Sequence, residues 1–113
     1  MSGGNPWTGE VEVRIDGVPH IAKLTLGALA ELEEALGEDS LMALVTRFEG
    51  GEVRGRDVLC LIHAGLRGGG WRGDLSDLLT VDIEGGPVGA ARVAAALLAA
   101  AFHEPLAADG RAA

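Results

Sequence analysis

"VEVRIDGVPHIAKLTLGALAELEEALG", residues 11–37, decides the fold class. Val11, Val13 and Ile15 alternate with Glu12 and Arg14, which makes a strand with one apolar and one polar face. Asp16-Gly17 follows, a favoured two-residue hairpin turn because both central positions of a type I′ turn need positive φ. Beyond the turn, Val18, His20, Ala22 and Leu24 fall on one face and Ile21 on the other. Pro19 cannot donate to a ladder, so the second strand begins at a sheet edge. At Thr25, a hydroxyl-bearing N-cap, the apolar period changes from that of a strand to that of a helix. Leu26, Leu29, Leu32 and Leu36 fall within about 120° of one another on a helical wheel, a core-facing stripe. Glu31 and Glu34 point away, Glu33 is a misfit inside the leucine arc, and Gly37 ends the helix. A two-stranded hairpin is not stable alone, so this helix is expected to lie over its apolar face.

Further helices follow by the same signals. Asp39 or Ser40 caps one whose apolar side is Leu41, Leu44, Val45 and Phe48, and Gly50-Gly51 stops it. Another runs from about Asp57 to Arg67, burying Val58, Leu61, Ile62 and Leu66, and ends at Gly68–Gly70. A short one, capped by Asp74 or Ser76, carries Leu75, Leu78 and Leu79. Gly85-Gly86-Pro87 opens the last, which extends from Pro87 to about Phe102, with eight alanines and Arg92 as its one charge. It is shorter than the ~20 residues a bilayer requires. Its larger residues form two groups, Val93 with Leu97 and Leu98 with Phe102 and Val88, more than one core contact needs. Either this helix lies central in the domain, which alanines favour by allowing close approach, or its second face meets a partner. The fold class is therefore α+β: an N-terminal β-hairpin followed by four to five short helices. One small domain spans residues 9–103, between a flexible segment at 1–8 and a disordered tail at 104–113. Trp7, in the first of these, is expected to fold back onto the sheet.

The composition supports one domain. Of 113 residues 48% are hydrophobic but only 4% aromatic, so the core must be aliphatic and alanine-rich. A single cysteine, Cys60, excludes an internal disulfide, and no Cys/His cluster has zinc spacing. The start "MSGGNPWTGE" has neither a basic nor an apolar leader region, which reads as cytoplasmic. A net charge of −8 argues against a nucleic-acid partner. Arg47, Arg54, Arg56, Arg67 and Arg72 nonetheless gather in the middle of the chain, mostly beside glycines at element ends. They read as solvated charge, with a patch for an acidic partner as the alternative.

Little here suggests catalysis. "GGGWRG", residues 68–73, fits G-x-G-x-x-G, yet it follows a helix rather than the strand a dinucleotide site requires. "RGD", residues 72–74, is a three-letter coincidence. His20, His63 and His103 fall on a strand, a helix and a helix end, with no nucleophile and orienting group around them. Cys60 sits in an apolar helical run, where a thiol is buried and inert. Glu33-Glu34 and Glu38-Asp39 are surface and helix-start charges. No catalytic, cofactor-binding or metal-binding residue is expected. Trp71, in the glycine-rich connector between Arg67 and Arg72, either folds over the helix ends or anchors a partner protein.

The order of a D-G hairpin, "LTLGALAELEEALG", "RDVLCLIHAGLRGGG" and an alanine-rich helix closing in "AAAF" resembles the gene transfer agent family proteins related to phage tail assembly chaperones. The resemblance covers residues 9–103 and is most specific over Leu24–Gly37 and Arg56–Gly70. It departs at Gly55, where a serine-type N-cap would be expected. It implies a non-enzymatic role in building a tail, without cofactor or membrane. Tail assembly chaperones are small, often acidic proteins that associate with the helical tape-measure protein while tube subunits polymerise around it. The expected partners are thus the tail tape-measure protein and/or the tail tube protein, with a homo-oligomer left open. The expected partner-binding residues are Trp71, Arg72, Val88, Leu98 and Phe102. A structural tail tube or minor tail component, retained in the particle, is the alternative.

Overall fold

The computed structural model describes residues 9–37 and 40–102. The expectations for residues 1–8 with Trp7, for Glu38-Asp39, and for His103 and the tail lie outside the described residues. β1 (Glu10–Ile15) and β2 (Val18–Lys23) form an antiparallel hairpin with Ile15 opposite Val18, Val13 opposite His20 and Val11 opposite Ala22. Asp16 and Gly17 take φ of 52° and 83°, both positive as a type I′ turn demands. Val13, Ile15, Ala22 and Leu24 are buried, whereas Val18, beside the turn, is exposed and not part of the core face. The helical elements are α1 (Leu26–Leu36), α2 (Leu41–Glu49), α3 (Gly55–Gly68), a 3-10 turn (Leu75–Leu79) and α4 (Gly86–Phe102).

Local chemistry sets the helix starts. Thr25 Oγ1 accepts from the Ala28 amide at 3.1 Å and Ser40 Oγ from the Ala43 amide at 3.0 Å. Asp77 Oδ2 accepts from the Asp74 amide at 2.8 Å at the 3-10 turn. α3 begins at Gly55, two residues earlier than the pattern suggests, after Arg54, which makes no side-chain cap.

Three expectations about packing are corrected. Leu26 is 86% exposed and Ala28 is buried in its place with Leu32 and Leu36, so the inward arc of α1 is rotated away from Leu26. Glu33 then stands in solvent beside Leu26, and the misfit disappears. Nor is α1 the cover of the hairpin: it packs on α3, while α3 and α4 cover the strands. α3, not α4, is the central helix. Asp57, Val58, Cys60, Leu61, Ile62, Ala64, Gly65 and Leu66 are all buried, spanning about two-thirds of its circumference at 100° per residue. A helix with one narrow arc, such as α1, serves one neighbour; α3 serves the hairpin, α1 and α4 at once.

Glycine makes the α3–β2 contact close. A Cβ on Gly68 would fall on the Lys23 carbonyl oxygen, and one on Gly69 on that of Ile21. Opposite residues flanking a two-residue turn exchange both ladder bonds, so the polar groups of Ile21 and Lys23 point outward from the hairpin. The end of α3 therefore lies against the outer edge of β2. The edge of β1 is met near the turn by the segment 82–84. Glu84 donates its amide to the Arg14 carbonyl at 3.1 Å, and Asp16 donates to the Asp82 carbonyl at 2.8 Å. Asp16 Oδ1 also accepts from the Asp82 amide at 2.9 Å, so the turn residue doubles as a clasp.

The central arginines are structural rather than merely solvated. Arg47 on α2 makes a bidentate pair with Asp57, Nε to Oδ2 at 2.9 Å and Nη2 to Oδ1 at 3.0 Å. Asp57 is fully buried in the first turn of α3, where the helix dipole also favours a carboxylate. Arg56 donates to the Ala35 and Leu36 carbonyls at the end of α1, at 3.0 and 3.4 Å. Arg67 Nε meets Glu31 Oε1 at 2.9 Å and holds that carboxyl below the usual carboxylate range.

This packing sets the expected effect of three substitutions. Gly69→Ala should destabilise by about 1–3 kcal/mol or more in urea titration, because backbone must move to admit the methyl group. Gly55→Ala, with open space around it, should be neutral or stabilise by up to about 1 kcal/mol. Arg47→Ala should cost about 3–5 kcal/mol by leaving a buried carboxylate unpaired, and an Arg47→Met/Asp57→Leu pair should recover most of that.

Candidate functional site

α4 is amphipathic in size rather than charge. It buries Ala94, Leu97 and Leu98 against α3 and the hairpin, and exposes Val88, Arg92, Ala95, Ala96 and Ala99. Along its outer side Val88, Arg92, Ala95, Ala99 and Phe102 recur at alternating spacings of four and three, which keeps them on one stripe. Beside the C-terminal half of that stripe lies α2, which buries one side chain completely, Leu44. Between the two helices runs an open groove of about 680 Å³, lined by Val45, Phe48 and Glu49 of α2 and by Ala95, Leu98, Ala99 and Phe102 of α4. Its walls are aliphatic and aromatic, and Glu49 is the one charge among its lining residues. Such a surface suits contact by shape and desolvation; its one titratable lining residue, Glu49, has no nucleophile or second titratable group beside it among the lining residues.

The residues expected to meet a partner divide between two places. Leu98 and Phe102 meet in the groove: Leu98 is 6% exposed and forms its floor, while Phe102 is 36% exposed at its side. Val88 is 63% exposed on the same stripe, beyond the groove toward the N-terminus of α4. Trp71 and Arg72 line a separate, smaller recess with Arg67 and Gly70. Trp71 is half-buried, donates its backbone amide to Leu66 at 2.8 Å, and packs edge-on against His63 with ring centroids 6.3 Å apart. Gly73 lies directly beneath its indole, where a Cβ would collide. Trp71 is thus folded over the end of α3, and Arg72 stands exposed next to it. Sequence reasoning placed Val45 and Phe48 on the apolar side of α2 without joining them to α4. That join depends on how α2 packs beside α4, which the spacing within either helix does not carry.

The Cys60 thiol and the Nε2 of His63 are enclosed by packing. Burial pushes the Cys60 thiol up, away from the reactive thiolate form. His63 Nε2 is buried without a hydrogen-bond partner among the described residues. Among the described residues no group of three or more His, Cys, Asp or Glu is placed to hold a metal ion. No described helix is long and apolar enough to cross a membrane.

No curated protein and no solved structure matches the chain. A family model described as "Phage tail tube protein, GTA-gp10" matches residues 8–104, the hairpin and every helix of the domain. A match over most of the chain, on a small α+β domain of a hairpin followed by helices, makes this protein a member of that phage and gene-transfer-agent tail family.

Proposed function

We propose that the protein assists the assembly of a phage-like tail without catalysing a reaction, as a tail assembly chaperone. In this reading the groove between α2 and α4 takes an apolar helix of the tape-measure protein or a segment of the tail tube protein during polymerisation. The observation that carries it is the groove itself: apolar walls from Val45, Phe48, Leu98 and Phe102 lie open on a protein of net charge −8. Helix-in-groove docking uses such a surface, with large side chains of the incoming helix filling the trough. Strand addition is less well served. The outer edge of β2 lies under the end of α3, and β1 is paired beside the turn with residues 82–84.

A second reading, a permanent component of the tail tube, is favoured by the words of the family description, which name a tube protein. The two differ in where the protein ends up. Co-expression with the tape-measure and tube proteins of one tail gene cluster, followed by size exclusion, should yield a complex that contains this chain. Mass spectrometry of finished particles should find the chain absent; stoichiometric retention would reject the chaperone reading in favour of the tube component. Phe102→Glu should abolish the complex while leaving the circular dichroism melt nearly unchanged, since the ring is partly exposed. Leu98→Glu should unfold the domain, because it places a charge in the core beneath the groove.

A further inference from the structure

One stripe of α4 carries both a recess and the feature that fits it. Its C-terminal half, Leu98 and Phe102 with Val45 and Phe48 of α2, forms the trough, with Glu49 at its rim. Its N-terminal half, Val88 and Arg92, projects into solvent, and nothing in the described fold accounts for a 63% exposed valine there. Between the halves lie Ala95 and Ala99, both exposed and small enough for two helix axes to come close.

We infer that the trough is filled by a second copy of this chain, its α4 crossing the first antiparallel about Ala95 and Ala99 in a two-fold contact. An isologous interface requires that a surface fit itself under a half-turn, so each residue meets its counterpart from the other end of the stripe. About a centre midway between Ala95 and Ala99, Arg92 of the second copy comes opposite Phe102 and Val88 passes beyond it. The Arg92 stem then covers Phe48 and Phe102, and its guanidinium reaches the Glu49 carboxylate over an aromatic face. From Arg92 to Phe102 the overlapping stretch of the stripe is about 15 Å long at the helical rise, enough for Arg92 of each copy to reach Phe102 of the other. The charges agree. Arg92 is the only ionised group on α4 and Glu49 the only one lining the groove, so the contact is neutral despite the acidity of each chain. The acidic side chains of α1, Glu31, Glu33 and Glu34, lie on a helix that packs on α3 rather than on α4. A single helix pair buries less than the ~800 Å² per partner of a standard stable complex, so the dimer is weak and its trough can be vacated.

Sedimentation equilibrium of the full chain, from about 5 µM to about 500 µM to cover the weak range expected of a small interface, tests this. A monomer–dimer equilibrium is expected, and Ala99→Glu should weaken it at least about tenfold by placing a bulky charge at the crossing. Because Ala99 is exposed, its circular dichroism spectrum and melting temperature should match the parent; Ala95→Glu serves equally if that variant folds poorly. Arg92→Glu should weaken the dimer, and Arg92→Glu with Glu49→Arg should restore it. A chain monomeric throughout, or a dimer indifferent to both alanine substitutions, overturns the proposal. So does an Arg92/Glu49 swap that fails to rescue, since the antiparallel register requires that pair. A monomer whose groove captures only a tail protein assigns the surface to that protein and overturns the second-copy contact.

Discussion

Glycine at positions 65, 68 and 69 lets the last turns of α3 lie against β2 at distances that a side chain would prevent. At Gly68 and Gly69 the neighbour is strand backbone, and at Gly65 it is Ala22 and Leu97. The other elements take their places from this contact. With α3 pressed to the hairpin edge, α4 covers the hairpin beside it and α1 packs on α3. The polar links hold the same hub: Arg56 and Arg67 of α3 reach α1, and Asp57 of α3 receives Arg47 of α2. Three of the mid-sequence arginines, Arg47, Arg56 and Arg67, thus serve as ties between elements.

α2 is the exception, and the groove follows from it. It contributes one completely buried side chain, Leu44, and a bidentate ion pair to a carboxylate that is itself fully buried. Such a pair fixes orientation strongly, because breaking it strands a charge, while adding little apolar coverage. α2 is thus tied to α3 by the pair, and the space between α2 and α4 is open with Phe48 and Phe102 among its lining residues.

How much of this the sequence disclosed depends on the range of each interaction. The Asp16-Gly17 turn, the Thr25 and Ser40 caps and the Gly37 stop are legible because each rests on chemistry within four residues. The centrality of α3 was not, since Gly65 and Ala64 count as weak or neutral in a hydrophobic pattern, yet they are what admits neighbours on several sides. Arg47 and Arg67 looked like surface charge because their partners lie ten and 36 residues away. The pairing of residues 82–84 with β1 escaped for the same reason: two or three ladder bonds leave too short an alternation to register as a strand. At the groove, Leu98 and Phe102 stood out by size, but their apposition to Val45 and Phe48 is a tertiary fact that no helical wheel contains.

Alanine sets the character of the exposed face of α4. A helix with leucines around its whole circumference would be sticky everywhere. α4 instead exposes methyl groups, whose desolvation contributes little each, and concentrates its large side chains at the two ends of one stripe. Recognition along such a helix depends on register: a partner gains substantial apolar contact only where its projections meet the trough at Phe48, Leu98 and Phe102. Self-pairing would meet that condition once per copy through Arg92, and a helix with larger side chains at matching spacing would meet it more fully. On the proposed reading the weaker contact would occupy the trough until a stronger competitor displaced it, so one surface would both limit indiscriminate association and give way to a partner.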